Sequence, residues 1–137
     1  MFRFLFLAAV ALIPAGCDNQ AADLLQSGKV VGLFGLEGRW AGPVTPIANN
    51  CGQATEGLMT VGRKTFSFDP FQGTTVINGE ISPVAHFDGS FSRAISGQKP
   101  VSISFTGVAL HRDDGAMTIE GELTSGHCSW SVSMKRA

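Results

Sequence analysis

The chain has no tyrosine, two tryptophans and few charged residues, against ten phenylalanines and 17 glycines. Phenylalanine carries no polar handle, so this aromatic set is suited to a dry interior. Charged residues are 15% of the chain and the formal net charge is −1. No basic cluster stands out, which argues against nucleic acid as a partner. There are only three cysteines, Cys17, Cys51 and Cys128, and none belongs to a CxxC pair. That count does not suit a zinc centre or a dithiol redox site. No serine sits in a Gly-x-Ser-x-Gly elbow. These gaps together predict a protein that is not an enzyme and uses no cofactor.

The longest apolar run, Phe4 to Ile13, is too short for a stable membrane span, which takes about 20 residues. It follows a single cation, Arg3, and precedes small residues at Ala15 and Gly16. That layout is an export signal. The stretch Ile-Pro-Ala-Gly-Cys, residues 13–17, resembles the lipobox of bacterial lipoproteins, with Pro14 where that family usually carries Leu. The resemblance implies cleavage before Cys17, with acyl chains such as palmitate on its sulfur and new amino group. Ordinary cleavage without acylation is the alternative. Residues 1–16 are then a signal peptide and residues 17–35 a lipidated cysteine and tether. The expected location is a bacterial cell envelope, anchored to a membrane and facing the periplasm or the exterior. Acylation of Cys17 leaves Cys51 and Cys128, which an oxidising compartment is expected to pair.

Within the tether, Ala21 to Gln26 could make a helical turn or two before Gly28, Gly32 and Gly35 interrupt it. The apolar residues of the arm Lys29-Val-Val-Gly-Leu-Phe-Gly35 pack against the domain or lie on the membrane.

Residues 36–137 form one domain, and their pattern has period two. Val101, Ile103 and Phe105 alternate with Ser102, Ser104 and Thr106. Met117, Ile119 and Leu123 oppose Thr118, Glu120 and Glu122, and Cys128, Trp130, Val132 and Met134 oppose Ser129, Ser131 and Ser133. Phe66, Phe68, Phe87 and Phe91 take inward parity in weaker examples. Turn residues at Asp69–Gly73, Ser96–Pro100, Asp113–Gly115 and Thr124–Gly126 link these runs as hairpins. The expectation is an all-β domain, a small antiparallel up-and-down β-barrel of seven to eight strands, with a β-sandwich as the alternative. Gly79, Gly89, Gly107 and Gly121 fall inside strands, where they would mark bulges or sharp bends, or let a ligand approach.

Leu-Glu-Gly-Arg-Trp-Ala-Gly, residues 36–42, resembles the opening of lipocalins and of the bacterial metalloprotease-inhibitor barrels. The resemblance implies that Trp40 plugs one barrel end. Cys128 departs from the inhibitor pattern, in which both cysteines lie in the first half, so the inhibitor's activity is not carried over.

His86 and Asp88 share a strand face but the wet one, while His111 and His127 sit near turns, so no metal site is expected. Glu120 and Glu122 could pair as carboxylates, but outward charges usually serve solvation. Two functions remain. In the first, the barrel binds a small apolar ligand or lipid through Trp40, Phe66, Phe68, Phe87, Phe91, Phe105 and Trp130. In the second, it is a protein-interaction or inhibitor-like module whose arm, or a loop such as Pro43 to Cys51, contacts an envelope protein.

Overall fold

The computed structural model describes residues 35–48, 50–73, 75–94 and 96–137. The expected signal peptide, Cys17 and the expected tether up to residue 34 lie outside the described residues. Eight strands follow one another: β1 (Gly38–Pro46), β2 (Thr55–Val61), β3 (Thr65–Asp69), β4 (Ile77–Ile81), β5 (His86–Arg93), β6 (Val101–His111), β7 (Met117–Ser125) and β8 (Cys128–Arg136). Each pairs antiparallel with the next, and β8 pairs back onto β1, so the sheet is a closed up-and-down barrel. Closure leaves no edge strand to recruit another chain.

The alternation explains why these segments are strands. Trp40, Val44, Phe68, Phe105, Leu123 and Met134 point inward, and none is more than 1% exposed. Ser104, Thr106, Glu122 and Ser131 point outward and are exposed. The wall is therefore polar outside and apolar inside, the reverse of a barrel that faces lipid. Val101 departs from the expected inward set and is 41% exposed. It pairs with Arg93 at the end of the β5–β6 ladder, beyond the filled part of the interior. The last hairpin also turns later than its Thr-Ser-Gly signal suggests. Thr124 and Ser125 still pair within β7, and the turn is Gly126–His127, with Gly126 at φ +58°. A positive φ at the first turn position suits the twist of a two-residue hairpin.

The register also sets the width of the barrel. From Ser67 the ladder runs one way through Asn78, Ser90, Ser104 and Thr124 to Ser129 on β8. The other way it runs through Thr60 to Arg39, whose carbonyl accepts from Ala137 N. The two paths meet β8 eight residues apart, at Ser129 and Ala137, which is the stagger of the closed sheet. Eight strands with a stagger of eight tilt by about 36° and enclose a lumen that side chains fill.

Even so narrow a lumen has to make room for its phenylalanines, and glycines provide it. Gly42 pairs with Gly57, Gly79 with Gly89 and Gly107 with Gly121, all at inward parity. A Cβ on Gly79 would lie 2.6 Å from the Phe66 ring, and one on Gly121 would lie 2.7 Å from the Phe105 ring. The ladders run without interruption through Gly79, Gly89, Gly107 and Gly121. These glycines are therefore not bulges. They are places where a large ring comes against the backbone of its own or the adjacent strand, a small-beside-large arrangement that lets small barrels fill their interior.

The β1–β8 seam joins the two ends of the domain and is secured at both of its ends. At one, Cys51 is bonded to Cys128 across a Cα–Cα distance of 5.4 Å, and Ile47 N donates to Ser129 O at 2.9 Å. At the other, the Arg136 guanidinium lies 4.7 Å from the centroid of the Trp40 ring and donates to the carbonyls of Gly35 and Glu37.

Candidate interaction surface

Of the aromatic residues expected to line a ligand pocket, Phe66, Phe68, Phe87 and Phe105 pack on one another. Phe66 meets Phe87 edge-on at 5.3 Å and Phe105 at 5.8 Å, and Phe68 lies 4.9 Å from Phe105. Trp40 lies under the chain-start end, its Nε1 donating to Leu36 O at 2.9 Å. Trp130 lies at the opposite end, 5.4 Å from Phe71 in a T-shaped contact, and half-buried Phe91 packs against the core. The phenylalanines thus form one cluster, while the two tryptophans are held apart at the two ends.

The two ends of the barrel differ. At the end where the chain arrives through Gly35 and Leu36, the connections are short: Gly62–Lys64 and Arg112–Ala116 are rich in charge, and Ser82–Ala85 has none. At the far end, residues 47–54, 70–76 and 94–100 form three longer loops, with the Gly126–His127 turn beside them. These three loops contain one charged residue, Lys99. Ile47 is 59% exposed there, and Val76 and Val101 are also exposed. Binding residues concentrate on loops that a rigid scaffold positions.

Two of these loops are held firmly. Asp69 Oδ1 accepts from the backbone N of Phe71 and of Gly73, an Asx-type cap that turns the chain out of β3. Thr55 Oγ1 donates to Pro70 O at 2.7 Å, and Gln72 Nε2 to Glu56 O at 3.0 Å. The loop 47–54 is tied to β8 by the disulfide and by the Ile47–Ser129 hydrogen bond. Loops ordered in advance lose less entropy when they bind.

No family model, curated protein or solved structure matches this chain. Its function has to be argued from the geometry of its own residues.

The outer wall supplies the remaining candidates. His86 and Asp88 face outward on β5, His111 ends β6 and His127 lies in the last turn. Among the described residues no three His, Cys, Asp or Glu side chains converge as a metal site would require. A shallow depression of about 520 Å³ lies over β5 to β7, lined by His86, Asp88, Glu120 and Glu122 above Gly107 and Gly121. Within it Glu120 is already engaged, accepting from Arg112 Nη2 and from Ser133 Oγ.

The sequence points to a loop from Pro43 to Cys51, of which Pro43–Pro46 instead form the end of β1, and it does not mark the loops 70–76 and 94–100 as its neighbours. Their turn residues mark them as links between strands and nothing more. Only the parity of hairpins in a closed meander, which sends alternate connections to the same end, brings them together.

Proposed function

We propose that this protein is a non-enzymatic envelope lipoprotein, anchored through Cys17, whose barrel presents its far-end loops to a protein partner. One observation carries the reading. Three long, charge-poor loops, with exposed Ile47 and Val76 and with exposed Val101 at the adjoining start of β6, gather at the end opposite the arriving chain. In an anchored barrel that end lies farthest along the domain from the point where the tether joins it. Exposed aliphatic side chains on a pre-ordered rim, framed by polar amides, suit the centre of a modest protein interface. The alternative, a small apolar ligand in the lumen, draws on Phe66, Phe68, Phe87 and Phe105. These rings pack on one another with centroids 4.9 to 5.8 Å apart, which weighs toward the protein partner.

Photocrosslinking in intact cells tests this. A photoreactive residue at Ile47, Val76 or Val101 is expected to trap one common partner. The same residue at Thr60 or Ser104 on the wall should not. Equal labelling from wall and loops, or no adduct from the loops, would refute the reading. Intact mass of the exported chain checks the anchor separately, since acylation at Cys17 adds the mass of its lipid.

A further inference from the structure

The near-zero net charge conceals a division of charge. Eight cationic side chains lie among the described residues: Arg39, Arg63, Lys64, Arg93, Lys99, Arg112, Lys135 and Arg136. Five of them meet at one corner. Arg39 faces outward on β1, where it pairs with Thr60 of β2, and Lys135 faces outward on β8, where it pairs with Ala41. Arg63 and Lys64 form the β2–β3 turn, and Arg136 caps Trp40. Glu37 falls among them, 3.5 Å from Arg63; Glu80 borders the corner, facing Thr65 beside Lys64, and Asp113 and Asp114 lie in the β6–β7 turn at the same end. Glu56 and Asp69 lie at the far ends of β2 and β3, and the other acidic residues of the strands lie on the other half of the ring. Glu80 pairs with Asp88, and Asp88 is linked through Thr106 to Glu122. Their strands, β4 to β7, make up the other half of the eight-strand ring, adjoining the basic half at β3–β4 and β7–β8.

The basic corner is also where the chain arrives. Arg136 donates to the carbonyl of Gly35, the first described residue. Cys17 lies 18 residues before it, a reach of up to roughly 60 Å if fully extended. A tether that long permits contact with a membrane but does not orient the barrel. Leu58, exposed beside Ala41, adds an aliphatic contact at the same corner, and Val84 is exposed in the turn that joins β4 to β5 at that end.

We infer that this corner, formed by Arg39, Arg63, Lys64, Lys135 and Arg136, docks on the anionic phospholipid headgroups of the membrane that holds the chain. The inference rests on the anchoring reading for proximity and on the charge division for chemistry. Phosphate oxygens accept hydrogen bonds from guanidinium and ammonium groups, and clustered cations sum their attraction to a negative surface. Docking at this corner directs the far-end loops away from the bilayer, and the acidic half of the ring is repelled from it.

Hydrogen exchange of the exported full chain in nanodiscs tests this. Phosphatidylglycerol-containing discs are compared with pure phosphatidylcholine discs. Amides of residues 62–64 and 135–136 should exchange at least about fivefold more slowly in the anionic discs, the gain one cation near such a surface supplies. The difference should vanish in about 0.5 M salt, which shortens screening to a few ångströms. It should also vanish in Arg63→Glu/Lys64→Glu, while the loops 47–54 and 94–100 exchange alike in both lipids. Equal exchange of the corner in the two lipids would overturn the inference. The intact mass of the same sample reports the anchor independently. If Cys17 carries no lipid, cosedimentation of the processed chain with the same two lipids as vesicles decides the headgroup contact: selective binding to the anionic vesicles sustains it, and no selectivity sinks it.

Discussion

Arg136, the last residue of β8, lies with its guanidinium 4.7 Å from the centroid of the Trp40 ring on β1. The contact joins the final strand to the first at the end of the seam where no disulfide helps. Arg136 also donates to the carbonyls of Glu37 and Gly35, so one side chain ties the arriving chain to the closed barrel. Arg136→Ala should therefore destabilise by about 1 kcal/mol, as expected for a partly exposed cation–π contact with hydrogen bonds. Arg136→Lys should recover only part of this, because ammonium lacks the planar fork. Urea denaturation followed by Trp fluorescence measures both.

The Cys51–Cys128 bridge spans 77 residues. Closing a loop of that length restricts the unfolded chain by about 4.5 kcal/mol in the chain-entropy treatment. Reduction, or Cys51→Ser/Cys128→Ser, should lower stability by up to that amount. Exchange protection should fall first in residues 47–54, and the strand ladders should persist. Denaturation and hydrogen exchange with and without reductant provide the check.

Phe105 touches Phe66 and Phe68 and lies over the Gly107–Gly121 pair. Phe105→Ala should cost about 3 to 5 kcal/mol, the range for an aromatic deleted from a packed core. Gly121→Ala tests the same contact from the other side. Its Cβ would meet the Phe105 ring at 2.7 Å and the Thr106 carbonyl at 2.4 Å, so overpacking should cost about 1 to 3 kcal/mol. If Gly121 were a bulge or a mobile bend, alanine would be tolerated there, and thermal melts of the variant separate the two.

On the outer wall, Arg112 reaches over Thr118 to Glu120, donating through Nε to Thr118 Oγ1 at 3.2 Å. Its side chain is 52% exposed and that of Glu120 25%, so solvent screens the pair. Glu120→Gln should change stability by less than about 1 kcal/mol. A double-mutant cycle with Arg112→Ala measures the coupling directly. The contrast with Phe105 separates what holds this barrel from what decorates it.

Alternation alone determined most of the wall. Residues 101–106 and 128–134 read as one dry and one wet face, because a strand turns successive side chains to opposite sides and only one side can be buried. The inward glycines were also legible in principle. Gly79 stands between Ile77 and Ile81, and Gly89 between Phe87 and Phe91, each taking an apolar parity position. What one strand cannot state is which neighbour a position faces. Pairing of Gly79 with Gly89, the stagger of eight, and the meeting of the Phe66, Phe87 and Phe105 rings all depend on register between strands, which is a property of the closed sheet. The same holds for charge and loops. A sum over the chain is near zero, whereas closure carries Arg39, Arg63 and Lys135 to one corner and the three long loops to the opposite end. Local chain geometry sets which way a residue points, and only closing β8 onto β1 decides what it meets.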